Sequence, residues 1–446
     1  MPLVRHLIDR REEYLELLKQ KNAPALIPAF EEGCELFSQW RAATTKAQEL
    51  REAINKASDE FKKTKDQAFI VKSRELSAEL TAQQETEKDL ATRIAKVELR
   101  LPNWINDDVP RGLEGDEIPL NYQGTPAVAA ALVEDFTKEH PGAAFTKLET
   151  EPFHHYNLVG NLIDQEIAGE VAQSKFYYEF GEVVILDMAL SMFAVEFFRE
   201  KGYGQQLMIP PYMMRQEVEE EICYFEAFQD TIFKVKQDGY QDMILLPSSE
   251  HAIVAYYREK LFKEEELPLR ILAWSPCFRR EAGSEGKDTR GIFRVKQFHK
   301  VEIHSIVKEG EDEAELDRLT ADIQEFMATL GLPNRAVNVA SGDMDKRAKK
   351  QIDIETWMPG QGKYRETHSI ATLGTWVSEK SKIRYTVGSG KTKKNITAVN
   401  LYATAVAVQR TLCAIAENHY DPATKTIVVP EALRKYTMGV TSIPVG

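Results

Sequence analysis

CFRREAGSEGKDTRGIFRVKQFHKVEI, residues 277–303, is the stretch on which the fold turns. In its second half Val295, Gln297, His299, Val301 and Ile303 alternate with Arg294, Lys296, Phe298, Lys300 and Glu302, the period of two that marks a strand with two unlike faces. With the residues before Arg279 it predicts two antiparallel strands joined by a charged, glycine-containing loop. Arg294, Phe298 and Glu302 fall on one face. A cation, a flat ring and a carboxylate in a row suit a phosphate, a purine, and an ammonium or hydroxyl group respectively.

Upstream the pattern is helical. Phe30, Phe37, Trp40, Ala47, Ile54 and Phe61 recur in steps of three, four and seven, which predicts a long helix with one apolar stripe. Leu76, Leu80, Gln83, Glu87, Leu90, Ile94, Val97 and Leu101 keep the alternating four-and-three step of a coiled-coil seam, with Gln83 and Glu87 as polar members that help fix register. The polar KKTKD at residues 62–66 separates the two, so they fold back as an antiparallel hairpin. Lys56, Lys62, Lys63, Lys65, Lys72 and Arg74 cluster around that turn. Taken alone they describe either a solvated helix tip or a surface for a phosphate backbone.

Leu101-Pro102-Asn103 ends the second helix, and NDDVPRGLEGDEIP is a Pro-, Gly- and Asp-rich connector. We therefore expect an N-terminal helical domain over residues 1–108 and a mixed domain over 109–446. In the latter, residues 181–201 and 316–330 read as helices. Residues 206–214, 242–246, 269–274, 291–307, 335–339 and 426–429 read as strands. Strands interrupted by helices without regular βαβ alternation favour an α+β fold, an antiparallel sheet flanked by helices. GSGKTKKN at residues 388–395 lacks the spacing of a phosphate loop and reads as a hairpin turn.

The 446 residues are 43% hydrophobic, enough for a large core and more than one domain, and carry a formal charge of −13. Any nucleic-acid contact must then come from local basic patches. Cys34, Cys223, Cys277 and Cys413 stand far apart, which argues against a disulfide framework and a cysteine-rich zinc site, and for a reducing compartment. Charges scattered through MPLVRHLIDRREEYLELLKQK exclude a signal peptide, and no apolar run reaches membrane-spanning length. The expectation is a soluble, cytoplasmic protein.

These features together resemble a class II aminoacyl-tRNA synthetase, most closely the seryl-tRNA synthetase family, over nearly the whole chain. LPLRILAWSPCFRREAGSEGKDTRGIFRVKQFHKVEI, residues 267–303, resembles the family's motif 2. WMPGQGKYRETHS at 357–369 resembles its W-x-P-G-Q-x-x-Y-R-E-x-x-S segment, and TAVAVQRTLCAIAENHY at 404–420 its motif 3. Residues 180–215 look like motif 1, the dimer-forming element. The resemblance implies a class II antiparallel sheet of six or seven strands behind a coiled-coil arm. It implies a homodimer that activates serine with ATP and Mg²⁺, with no zinc, and transfers it to a serine tRNA whose long variable arm is gripped by the helical arm. Lys56, Lys62, Lys63, Lys65, Lys72 and Arg74 would then be the tRNA-binding set.

Residue by residue, Arg279 and Arg410 match the catalytic arginines of motifs 2 and 3. Glu281 matches the carboxylate that takes the adenine amino group, Phe298 the stacking ring, and Arg294 a position for the outer phosphates. Glu366 and Ser369 match the Mg²⁺-binding pair. Ser248, Glu250, Arg279, Glu302 and Thr404 match the serine-binding positions, Ser248 replacing the usual threonine. Other departures are Tyr402 in place of asparagine, His368-Ser369-Ile370-Ala371-Thr372 after Glu366, Lys296 for histidine, and Glu221-Ile222-Cys223-Tyr224 where Thr-Gly-Gln is expected. They allow a second reading, a divergent non-catalytic or altered-specificity paralogue of that family serving as an RNA- or protein-binding module.

Overall fold

The computed structural model describes residues 3–223, 229–236, 238–281 and 290–445. The chain divides into two compact units, Pro2–Trp104 and Ile105–Gly446. Among the described residues no helix is long and apolar enough to cross a membrane.

The first unit is dominated by two helices, α1 (Ile27–Thr64) and α2 (Ala68–Arg100), packed along their length. Lys65, left-handed at φ 57°, closes α1, and Asp66 Oδ1 accepts the Ala68 amide at 2.9 Å to start α2. The predicted seam of α2 holds, but unevenly. Leu90, Ile94 and Val97 are buried, whereas Leu76, Leu80, Gln83 and Glu87 nearer the tip are half-buried. On α1 the buried positions are Ala29, Phe30, Gly33, Leu36, Ala43, Ala47, Leu50 and Ala57, so the expected stripe holds at Phe30 and Ala47 and is corrected at Phe37, Trp40, Ile54 and Phe61, which are half-buried. Phe37 and Trp40 stack on each other with ring centroids 5.6 Å apart.

The second unit is built on an eight-stranded sheet. Its strands are β1 (Ile118–Gln123), β2 (Gln206–Met208), β3 (Leu269–Phe278), β4 (Gln297–Val307), β5 (Asn334–Asn338), β6 (Lys350–Met358), β7 (Lys363–Gly374) and β8 (Val399–Ala407). They lie in the order β1-β5-β6-β7-β8-β4-β3-β2, antiparallel except for the β3–β2 edge pair. The opening hairpin is the β3–β4 pair, running from Leu269↔Ile306 to Phe278↔Gln297. Two strand expectations need correction. Residues 206–214 split into β2 and a second strand, Met213–Arg215, because Pro210-Pro211 cannot sustain a ladder. The strand expected over 291–307 begins only at Gln297, which takes Arg294 off its face. Residues 242–246 and 426–429 contribute to separate three-stranded sheets. The 388–395 turn does join a hairpin, closed by Val387↔Lys394.

One face of the sheet is apolar and is covered by α3 (Glu182–Glu200), α6 (Asp312–Thr329) and α7 (Val408–Asn418). Val301, Ile303, Ile354, Ile370, Ala403 and Ala405 point into this core, where Phe326 packs on Phe193, Phe197 and Phe198 at 5.3–5.4 Å. Because side chains alternate along a strand, the neighbours of these residues, Glu302, Asp353, Ser369, Tyr402 and Thr404, face the other way.

Candidate functional site

That second face forms the floor of a cavity of about 440 Å³. Its central strands place the lining. From β4, Phe298, Lys300 and Glu302 project at alternate positions. From β8 come Tyr402, Thr404 and Ala407, with Glu302 directly opposite Thr404. The β4–β8 ladder skips Ala405, and the β6–β7 ladder skips Thr367, each a one-residue bulge. The second bulge matters for chemistry. Glu366 and Ser369 are three residues apart and would face opposite ways in a regular strand; the extra residue turns both to the cavity.

All eleven residues expected to bind ATP or serine line this cavity: Ser248, Glu250, Arg279, which is expected to meet both ligands, Glu281, Arg294, Phe298, Glu302, Glu366, Ser369, Thr404 and, from the first turn of α7, Arg410. Arg279 lies just beyond β3, its Nε donating to Pro247 O at 3.2 Å and its guanidinium 5.4 Å from the Phe298 ring centre. Arg294 reaches the cavity from the segment before β4 and pairs with Glu281 at 3.3 Å. Arg410 donates to Glu366 O at 3.0 Å, pairs with its carboxylate at 3.1 Å, and lies over the Phe293 ring. Residues 282–289 and Tyr224 lie outside the described residues.

Ser248 has a structural job beside any binding role. It caps α5 (Ser249–Tyr257), its Oγ accepting the Glu250 amide at 3.3 Å, which fixes Glu250 in the first helical turn. The same Oγ accepts from Lys300 Nζ at 2.9 Å and donates to Glu302 at 3.4 Å. Lys300 also pairs directly with Glu302. Burial pushes the Glu302 carboxyl up, and the lysine offsets only part of this. Lys300 was legible as a member of the polar strand face, yet only its neighbours drew notice.

Three more residues come from the loop before β6. Asp345, Lys346 and Arg347 line the cavity, and nothing in the sequence connected them to it. Arg347 makes a forked pair with Glu250 at 2.9 and 3.4 Å and a second pair with Asp345 at 2.7 Å. Burial would raise the Glu250 carboxyl, but the Arg347 guanidinium, aided by His251, holds it below the usual range.

Glu366, Ser369 and Asp353 gather carboxylate and hydroxyl oxygens on the β6–β7 edge, Asp353 pairing with Ser369 in register. Burial, then the Glu366 charge, drives the Asp353 carboxyl well upward. An all-oxygen set with crowded negative charge fits a hard divalent cation such as Mg²⁺. Two other groupings of metal-capable side chains are already engaged internally. Glu417 accepts from the His155 and Gly360 amides at 3.0 and 2.9 Å, and its partner grouping has His251 Nδ1 on Glu219 at 2.6 Å with Arg347 Nη1 3.4 Å from Cys223 Sγ.

Gln409, beside Arg410, is held by Asp187 at 2.6 Å and Glu179 at 3.3 Å, and accepts the His299 amide at 2.8 Å. Burial, with Asp187 adding to it and Gln409 and His299 opposing, raises the Glu179 carboxyl to about 7. The folded state therefore favours the protonated acid, and its contribution is complete below 4.5 and lost as pH rises to 7. Glu179→Gln removes that loss. We expect the variant and the parent to be equally stable near pH 4.5 and the variant to lead by about 1–2 kcal/mol at pH 8, in urea unfolding at both pH values.

The arm cations Lys56, Lys62, Lys63, Lys65, Lys72 and Arg74 are all exposed. Lys62 and Lys63 pair with Asp59 and Glu60, each at 2.8 Å along α1.

Comparison with known proteins agrees with this arrangement. Residues 233–419 match the tRNA synthetase class II core domain (G, H, P, S and T), and residues 4–105 match the seryl-tRNA synthetase N-terminal domain. The chain is 36% identical to the serine–tRNA ligase of Ignicoccus hospitalis over 425 residues, covering 93% of this chain and 91% of that one. It is 36% identical to that of Pyrococcus furiosus over 437 residues, 96% and 94% of the two chains. The crystal structure of seryl-tRNA synthetase from Pyrococcus horikoshii complexed with ATP superposes with a TM-score of 0.91 at 34% identity over 99% of both chains. The cytoplasmic serine–tRNA ligase from Naegleria fowleri in complex with AMP gives 0.81 at 26% identity over 97% and 95%. Similarity at this level across both units places the chain in the seryl-tRNA synthetase family of class II aminoacyl-tRNA synthetases.

Proposed function

We propose that this protein is a serine–tRNA ligase: it joins serine to ATP as seryl-adenylate, releasing pyrophosphate, and passes the seryl group to the 3′-terminal ribose of a serine tRNA. The observation that carries this reading is the single cavity in which the ATP-type residues and the serine-type residues meet on one sheet face. Its volume, about 440 Å³, lies in the range that encloses small ligands.

In this reading Phe298 stacks on the adenine and Glu281 accepts its amino group. Arg279 spans the serine carboxylate and the α-phosphate, where negative charge builds as the carboxylate oxygen attacks. Arg410 and Arg294 hold the outer phosphates. Glu302, Thr404, Ser248 and Glu250 surround the serine hydroxyl and ammonium, so that an analogue lacking the hydroxyl leaves buried polar groups without partners. No enzyme nucleophile is required, because displacement at phosphorus is accelerated by alignment and charge neutralisation. Glu366 and Ser369 hold Mg²⁺, which supplies positive charge against the phosphate oxygens when bound.

The helical arm binds the tRNA's long variable arm through its basic tip. A homodimer is supported by the exposed apolar residues Val184, Met188, Met192, Leu207, Ile209 and Met213 on the motif-1-like stretch. Four cysteines, none of them in a disulfide, suit a reducing, cytoplasmic setting. ATP–pyrophosphate exchange with a panel of amino acids tests the proposal. Serine-dependent exchange is expected, and exchange with no amino acid would leave only a non-catalytic binding module.

A further inference from the structure

Arg347 lines the cavity, yet the reaction as described gives it no part. Its side chain is 6% exposed, as is that of its partner Glu250, so both charges are almost wholly withdrawn from water. Such a pair persists only with well-formed hydrogen bonds on both sides. Arg347 has them. Its Nη1 and Nη2 fork onto Glu250, and its Nε and Nη2 engage Asp345 at 3.2 and 2.7 Å. Asp345 in turn accepts from the Tyr402 hydroxyl at 3.4 Å, and Arg347 Nη1 stands 3.4 Å from Cys223 Sγ.

The membership of this chain of contacts is informative. Tyr402 and Cys223 are two of the positions where the sequence departs from the family pattern, and they come from segments 179 residues apart by number, on β8 and just after the helix Gln216–Ile222, here α4. Cys223 meets the Arg347 guanidinium directly, and Tyr402 reaches it through Asp345. That guanidinium in turn holds Glu250, a carboxylate facing the amino-acid end of the cavity beside Ser248, Glu302 and Thr404. Glu302 is likewise paired, with the single ammonium of Lys300. Each acidic group of the amino-acid subsite is thus oriented by a buried cation of the protein.

We propose that Arg347 is the positioning residue for amino-acid selection: through its fork it sets the carboxylate plane of Glu250, and Asp345 with Tyr402 sets the guanidinium. This deepens, and rests on, the reading of the cavity as a serine–tRNA ligase site. A planar, two-pronged grip fixes both position and rotation of a carboxylate, which a lysine ammonium does not. The subsite selects a neutral, hydroxyl-bearing amino acid, because its own charges are already matched.

The test is ATP–pyrophosphate exchange with the full-length protein and its R347M and R347K variants, measuring KM for serine and for ATP and the pH profile of kcat/KM for serine. In R347M the serine KM rises on the order of 10²-fold, as for a buried charge that has lost its partner, while the ATP KM stays within about twofold. The acid limb of the serine profile moves to higher pH, a change that loosened packing alone does not produce. R347K keeps the charge and folds in the same framework, and its serine KM rises roughly tenfold because the fork is lost. Parent-like serine KM and pH profile in R347K and R347M overturn the proposal, as does a parallel rise in the KM for ATP. A parent protein without serine-dependent exchange overturns the functional reading instead.

Discussion

Arg279→Ala is expected to lower serine-dependent ATP–pyrophosphate exchange on the order of 10²–10³-fold, the cost of removing one preorganised donor from a developing anion. The side chain is placed for that role by two contacts that owe nothing to substrate, the Pro247 carbonyl at 3.2 Å and the Phe298 ring 5.4 Å away. Just beyond β3, it shares the cavity lining with Glu302, Glu250, Arg410 and Arg294. The attacking carboxylate and the α-phosphate are both anionic, so without Arg279 they repel as they approach. Because the charge it meets grows toward the transition state, the loss falls mainly on kcat. Arg279→Lys restores the charge without the fork and recovers only part of the rate. Rapid-quench measurement of adenylate formation separates this effect from product release; a variant within threefold of the parent would remove Arg279 from the chemistry.

The second large effect concerns the helical unit. Removing it is expected to abolish serine transfer to tRNA while exchange stays within about twofold, since every residue lining the cavity belongs to Ile105–Gly446. A finer form of the same experiment replaces Lys56, Lys62, Lys63, Lys65, Lys72 and Arg74 by alanine in the full-length chain. If each meets a phosphate, the parent's charging efficiency falls with salt at a log–log slope of roughly −4 to −5, and the variant loses most of that slope along with on the order of 10³-fold in efficiency at physiological salt. The existing pairs Lys62–Asp59 and Lys63–Glu60 are fully exposed and do not compete strongly for the cations. Charging that survives both changes would show that the tRNA is held elsewhere.

How much of this was legible in the sequence varied with distance along the chain. The seam of α2 and the β3–β4 hairpin declared themselves because their periods are local, four-and-three in one and two in the other. The stripe of α1 held at Phe30 and Ala47 but not at Phe37 and Trp40, which outweigh on paper the small residues, Gly33 and Ala43, that are buried instead. Arg294 seemed to share a strand face with Phe298; the strand starts three residues later, and the arginine reaches the same cavity from irregular backbone. Glu366 and Ser369 came from family resemblance alone, because the bulge at Thr367 that brings them together leaves no mark in a period-two pattern. Arg347 was invisible for a simpler reason. It sits in a run of charges, GDMDKRAKK, that reads as a solvated loop, and its partner Glu250 lies 97 residues away. The strands β6, β7 and β8 escaped notice because their site-facing positions carry Gln351, Asp353, Glu366, Ser369, Tyr402 and Thr404, polar groups that a buried strand keeps only where a ligand meets them.

The central claim, that one sheet face joins serine to ATP and delivers it to tRNA, is tested most directly by incubating the full-length protein with labelled serine, ATP, Mg²⁺ and total tRNA and identifying the acylated species. The prediction is label on the 3′ end of tRNAs with a long variable arm and on no others. Label on none of them, in a preparation that binds ATP, would contradict it.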